Sequence, residues 1–347
     1  MKNVLAFVLA GLLAASCSTR SPAGPQTLNV MTHDSFAATD TVIQAFEQAN
    51  NARVNIIKSG DAGAALNKAI LSKQAPLADV LYGVDNTFLS RALSSDLYEP
   101  YDAPALRQIP AEFQLDATRR ALPMDYGDVC INYDKAYFAG NNLAVPQTLE
   151  DMTKPAYRGL LVTENPATSS PGLSFLLATI KHFGGSGYID YWKQLKQNDL
   201  KVVDGWETAY YTNFSGSSGK GPQPMVVSYG TSPAAEVMFA QTPPPDAPTG
   251  SILGPDTCFR QIEFVGILKG TQQRALAEKW VDFMLSEKFQ ADMPGQMFVF
   301  PVLPNVPLPP EFVKYARQPE QPASLPPDEI ATNRDAWIQA WTEAVLK

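Results

Sequence analysis

The stretch DGWETAYY, residues 204–211, places one of the chain's five tryptophans, a glutamate and a tyrosine pair side by side. Two kinds of chemistry suit such a cluster. Aromatic rings beside a carboxylate make a wall for an organic cation, which a ring face attracts by roughly 0.5–2 kcal/mol. Adjacent tyrosinates at Tyr210 and Tyr211 would instead offer hard oxygen ligands to ferric iron, with His33 as a further ligand. Packing in an ordinary core is the third possibility. Read as a strand, the segment would point Tyr210 and Tyr211 to opposite faces, which works against a shared metal.

A second chemical signal is the serine pair Ser169-Ser170 ahead of Pro171. Either serine suits a helix N-cap with proline just inside the first turn, and such a helix start is a natural anion site. A plain capped helix fits the residues equally well.

No catalytic constellation accompanies these signals. The sequence has no GxSxG elbow, no HExxH and no GxxxxGK[ST] phosphate loop, and GSSGKG over 216–221 has no helix following it. The two histidines, His33 and His182, lie too far apart for a zinc pattern. An enzyme is not expected, and no cofactor or metal is implied.

The elements that must position these residues alternate. LNVMT (28–32), RVNII (53–57) and ADVLYGV (78–84) have strand composition. TDTVIQAFEQAN (39–50) and AALNKAILSK (64–73) carry helical periodicity. Alternation of this kind predicts an α/β fold with helices on a largely parallel sheet, binding its ligand beyond the carboxyl ends of the strands. The loops at those ends, 33–36, 58–63 and 85–86, are polar or glycine-bearing. In the second half, 159–166 is a strand leading into a helix over 167–183, and 224–240 repeats that pattern with Tyr229 at the turn. Helices are predicted over 271–285 and 328–346, with Trp280, Trp337 and Trp341 as packing residues. The nine prolines of 301–327 predict an extended surface strap.

The N-terminus has the form of an export signal: one lysine, an apolar run short of the ~20 residues a membrane span needs, then LAASC ending at Cys17. The expectation is a signal over 1–17 with a lipobox-like end, acylation at Cys17, and a tether over 18–27. The protein would then be held at the outer face of the cytoplasmic membrane, or free in the periplasm, touching membrane only through its lipid anchor. With 27 basic and 35 acidic residues, net −8 and no basic block, nucleic acid is not an expected partner. Beyond Cys17 the cysteines are an even pair, Cys130 and Cys258, which in an oxidising compartment suggests a disulfide. The length predicts two lobes rather than one core.

MTHDSFAATD (31–40), ADVLYGVDNTFLS (78–90), MDYGDVCINYD (124–134), TSSPGLSF (168–175), DGWETAYY, VVSYGTSPA (226–234) and RDAWIQAW (334–341) occur in an order and spacing that resemble the thiamine-binding components of bacterial ABC importers. The resemblance runs from about residue 28 to 346. It implies a type II periplasmic-binding-protein fold of the ferric-binding branch, with two α/β lobes and crossing hinge strands near 123–130 and 258–266. Lobe 1 would comprise 28–122 plus 267–347, and lobe 2 would comprise 123–266. The implied function is capture of thiamine or a thiamine phosphate ester by hinge closure, as a monomer, and delivery to a cognate permease. By resemblance Trp206, Tyr229 and Phe298 contact the ligand, Phe298 standing where the family has tryptophan. Asp61, Gly63 and the Ser169-Ser170 helix start fall where a phosphate or hydroxyethyl tail would sit, and Asp85 and Tyr210 complete the candidate set. The resemblance also sets Cys130 and Cys258 side by side at the crossing between lobes. His33 replaces an aromatic hydroxyl of the family and Ala235 replaces a tyrosine, so either a roomier pocket or a ligand other than thiamine itself is expected. The alternatives are a ferric-iron carrier of the same fold and, in another class, a structural lipoprotein.

Overall fold

A computed structural model describes residues 24–217 and 220–347. The signal over 1–17, the acylation at Cys17 and most of the tether over 18–27 fall outside the described residues. The first part alternates as expected: β1 (Gln26–Thr32), α1 (Asp40–Asn50), β2 (Ala52–Lys58), α2 (Ala62–Leu71), β3 (Val80–Asp85), α3 (Leu89–Ser94) and the short β4 (Tyr98–Glu99). Val42 and Phe46, four residues apart on α1, are buried, and the helix stops where Asn51 takes the left-handed conformation, φ 47°. β1 runs parallel to both β2 and β3. Every residue of β3 is buried, as both faces of such a strand are covered.

The middle of the chain supplies β5 (Leu122–Asp134), α4 (Lys135–Gly140), β6 (Leu161–Glu164), α5 (Ser170–Phe183), α6 (Gly187–Gln197), β7 (Lys201–Val203), β8 (Met225–Tyr229), α7 (Ser232–Met238), β9 (Thr249–Ile252) and β10 (Phe259–Leu268). The rest forms α8 (Arg274–Met284), α9 (Glu287–Gln290), α10 (Met293–Gln296), β11 (Phe300–Pro301), α11 (Pro310–Tyr315) and α12 (Pro327–Val345). The main sheet order is β2-β1-β3-β10-β5-β8-β6-β7. The long strands β10 and β5 pair antiparallel at its centre. They separate a wing of parallel strands β1 to β3 from a second wing in which β6 runs parallel to β7 and β8. They lie over the two segments, near 123–130 and 258–266, where the resemblance implies crossing strands. The Cys130–Cys258 disulfide joins β5 to the residue just before β10.

Two expectations change. DGWETAYY is not a strand: β7 ends at Val203 and residues Thr208–Asn213 form a π-helical turn. Its wide ring is closed by the Phe214 amide donating to the Ala209 carbonyl at 3.0 Å. The proline-rich segment is not wholly extended, since it contains the helix α11, whose Phe312 is buried. α12 sets the buried Trp341 edge-on against Trp192 of α6, with ring centroids 5.5 Å apart. The same helix places the Arg334 guanidinium over the Phe88 ring of the first wing. The C-terminal helix therefore spans both wings. Trp280 is fully buried as expected, while Trp337 is half-buried.

Candidate functional site

Between the wings lies a cavity of about 940 Å³. The π-helical turn supplies its aromatic wall. Trp206 stacks on Tyr210 with centroids 5.0 Å apart and planes 17° from parallel. Tyr229, at the carboxyl end of β8, stands edge-on to Trp206 at 6.4 Å. The indole Nε1 donates to Ser228 Oγ at 2.9 Å, and Ser228 lies 2.9 Å from Ser232 Oγ, so the ring orientation is fixed by its own wing. Phe298 closes the far side, with a left-handed backbone (φ 56°) and its ring edge-on to Phe239 at 5.1 Å.

The floor is acidic. Neighbouring strands place Asp85 of β3 opposite Glu263 of β10, and Glu263 opposite Asp125 of β5. The Tyr82 hydroxyl lies 2.6 Å from Asp125 Oδ2 and 3.1 Å from Glu263 Oε2. Burial and then the charge of Glu263 raise the Asp125 carboxyl well above the usual range. Burial would raise Glu263 as well, but His33 beside it holds it below that range. Asp125 is thus held toward its protonated form and Glu263 toward the carboxylate, which lines the cavity. Asp85, pushed up to about 6 chiefly by burial, accepts from the Thr87 and Ser170 hydroxyls.

Asp61 comes from the start of α2 and reaches across to the second wing. Its carboxylate accepts from the Trp206 amide at 2.9 Å and the Ser170 amide at 3.3 Å, besides its neighbour Ala62 at 2.6 Å. The anion-binding helix start expected at Ser169-Ser170 is thus filled by the protein's own aspartate. Ser169 is the N-cap by backbone, but its hydroxyl makes no capping bond and is buried without a partner. Gly63 lies against Thr168: a Cβ there would sit 2.8 Å from the Thr168 carbonyl oxygen, so the residue permits close approach of the wings.

Of the expected site residues, His33, Asp61, Ser170, Trp206, Tyr210, Tyr229 and Phe298 share the cavity wall. Gly63, Ser169 and Asp85 lie behind it. Ala235 lines the cavity, as does Tyr211 of the tyrosine pair, and Phe239 adds aromatic surface that the sequence does not single out. Also missed were Glu263, Gln261 and Glu236. Glu236 accepts from the Tyr210 hydroxyl at 2.8 Å, and the Tyr229 hydroxyl lies 3.1 Å from Gln261 Nε2. One signal was available: in FRQIEFVGI, Gln261 and Glu263 stand two residues apart, on one face of a strand whose second half is apolar.

The lining carries Asp61, Glu207, Glu236 and Glu263 against His33 and Lys220, so carboxylates outnumber bases around an aromatic wall. Such a site suits an aromatic cation. For iron the tyrosine pair is poorly set: burial and then Glu236 raise the Tyr210 phenol well above its usual range, and its ring lies at 87° to that of Tyr211. Among the described residues no helix is long and apolar enough to cross a membrane, and no His/Cys/Asp/Glu cluster of metal-binding form occurs.

Comparison with known proteins agrees with this architecture. The chain is 31% identical over 326 residues to the thiamine-binding periplasmic protein of Escherichia coli K12, covering 92% of this chain and 94% of that one. It is 29% identical over 327 residues to the thiamine-binding periplasmic protein of Brucella suis biovar 1, covering 92% of each. Among solved structures, a periplasmic thiamin binding protein superposes with TM-score 0.82 at 29% identity, over 92% of this chain and 96% of that one. A ferric binding protein from Campylobacter jejuni superposes with TM-score 0.74 at 20% identity, over 91% and 99%, a likeness of fold. The fold is the mixed α/β fold of the periplasmic binding proteins. Residues 75–333 match the family described as bacterial extracellular solute-binding protein. With that match over most of its length and a solute-sized cavity between two wings, the chain belongs to the bacterial extracellular solute-binding proteins.

Proposed function

We propose that the protein captures thiamine outside the cytoplasm and passes it to the permease of an ABC importer. The observation that carries this reading is the pairing of the Trp206–Tyr210–Tyr229 wall with the Glu263 carboxyl group in one cavity. Thiamine joins a permanently charged thiazolium to a flat aminopyrimidine. A desolvated ring face and a nearby carboxylate both attract such a cation, and neither attracts a neutral sugar or a free anion in that way. The thiamine-binding relatives at about 30% identity support the same choice. Asp61 already fills the α5 N-terminus, which favours thiamine itself over its phosphate esters. The lining residues Trp206, Tyr229, Phe298, His33, Asp61, Ser170 and Tyr210 form the proposed contact set, together with Glu263.

A thermal-shift panel of thiamine, its mono- and diphosphate, and ferric citrate tests this. A ligand that binds only the folded protein, present at 100 times its dissociation constant, stabilises it by about 2.7 kcal/mol. Thiamine should give the largest shift. A shift from ferric citrate alone, with a visible tyrosinate–iron colour, would replace the proposal with an iron carrier.

A further inference from the structure

We infer that His33 is a removable counter-cation for Glu263: an organic cation entering the cavity takes over the carboxylate, and His33 returns its proton to solvent. The inference rests on the cationic ligand proposed above and adds to it an exchange of charge that makes His33 a specificity-determining residue.

The geometry is that of a loose pair. His33 Nε2 lies 3.4 Å from Glu263 Oε1, close enough for strong attraction, yet the buried nitrogen has no aligned hydrogen-bond partner. Both residues are almost fully buried and both line the cavity. The imidazole packs against Tyr82 at 5.6 Å and over Gly83, whose φ of +97° and missing Cβ leave room for the ring. The groups facing this pair are Asp34 from the same loop, Asp61 from the start of α2, Tyr82 and Asp85 from β3, Asp125 from β5, and Tyr229 from β8. All are acids or phenols, so His33 is the cation closest to the Glu263 carboxylate on this floor.

Two opposed effects set the charge of His33. Burial favours the neutral ring, while Glu263, then Asp61 and Asp34, favour the imidazolium and prevail, leaving its pKa above the ordinary value. A ligand whose charge cannot titrate reverses that balance. Placed near Glu263, it screens the carboxylate from His33 and repels the imidazolium, and burial then favours the neutral ring. One positive charge enters with the ligand and one leaves as a proton accepted by the buffer. Only an N–H bond breaks, and the net charge of the cavity is unchanged. Affinity for a cation should therefore rise with pH, by up to roughly tenfold per unit between the His33 midpoints of the bound and empty protein. A neutral aminopyrimidine without the thiazolium should release no proton.

The chain has two histidines, so imidazole Cε1–H resonances give a direct test, with His182→Gln to assign them. In the empty protein His33 should titrate above the ordinary midpoint of about 6.5, and Glu263→Gln should lower that midpoint. Millimolar thiamine should lower it too. Calorimetry of thiamine binding at pH 7, in two buffers of different ionisation heat, should show release of about one proton or less, abolished in His33→Gln. Thiamine that binds without releasing a proton, or with the same release from His33→Gln, overturns the exchange and leaves the thiamine reading intact. An ordinary or lowered His33 midpoint in the empty protein, or one that millimolar thiamine does not move, also overturns it. Absence of both binding heat and thermal shift with thiamine is the separate result that removes the proposed function.

Discussion

Trp206 is held from two sides, by the stacked Tyr210 ring and by the Nε1 bond to Ser228, and its remaining surface faces the cavity. Trp206→Ala should cost about 1–3 kcal/mol of thiamine affinity, from lost apolar contact and cation–π attraction. Titration calorimetry on the variant measures this, and unchanged affinity in a folded variant would return Trp206 to the core. Glu164 makes a different kind of prediction. It is fully buried at the end of β6 with neither carboxylate oxygen partnered, and burial, then Asp61, raises its pKa well above the usual range. A carboxyl raised on folding lends stability that is complete below its unfolded value near 4.3 and is lost as pH rises toward the folded value. Glu164→Gln should therefore flatten the fall in melting temperature between about pH 5 and 8, and should gain on the order of 1 kcal/mol at the alkaline end. Melting curves at both ends of that range decide it. At this scale the aromatic residues were legible, because rare side chains clustered in DGWETAYY identify themselves. Glu263 and Asp125 were not, because their meaning depends on being placed opposite each other across two strands distant in sequence.

The elements were legible wherever period alone decides them. β1 to β3, α1, α2 and α5 fall within a few residues of their expected positions, because apolar spacing and turn residues are local. The π-helical turn was not legible, since it is selected by packing of Tyr210 and Phe214 rather than by any propensity of its own sequence. The path of α12 was equally hidden: Trp341 marks a buried face but does not say that Trp192 covers it. The disulfide belongs to this scale, because it ties the two central strands where the main chain crosses between the wings. Cys130 and Cys258 are both buried and enclose a separation of 128 residues. The chain-entropy model gives such a crosslink roughly 4–5 kcal/mol, with measured values often smaller. Neither cysteine lines the cavity. Reduction, or the Cys130→Ala/Cys258→Ala double variant, should lower the melting temperature while leaving thiamine affinity within about twofold. A large loss of affinity in protein that remains folded at the assay temperature would mean that the bond shapes the site itself.

Beside the cavity several contacts tie the two wings together, and most of them involve backbone. Asp61 receives the Trp206 and Ser170 amides, the Ala64 amide donates to the Thr168 carbonyl at 3.3 Å, and the Ser170 hydroxyl bonds Asp85. We propose that the wings are the two lobes of a hinge, with β5 and β10 as its crossing strands and these contacts as the closed state. Asp61 is then a latch, since one carboxylate satisfies the free amides of a helix start and of the turn that carries Trp206. Its removal leaves those donors to water in the open form and without a partner in the closed one, a difference of about 1–3 kcal/mol in favour of opening. The closed-to-open ratio would fall by roughly 5- to 150-fold, so that a wild type resting mostly closed gives way to a variant with a larger open fraction. Small-angle scattering of empty wild type and Asp61→Ala should therefore show a larger radius of gyration for the variant, with thiamine at saturation contracting it toward the wild-type value. Ser170→Ala, which removes a single hydroxyl bond to Asp85 and leaves the Asp61 contacts in place, should shift the radius less. Equal radii for all three proteins, with and without a ligand shown to bind, would mean that the wings form a rigid body and that the cavity fills without hinge motion.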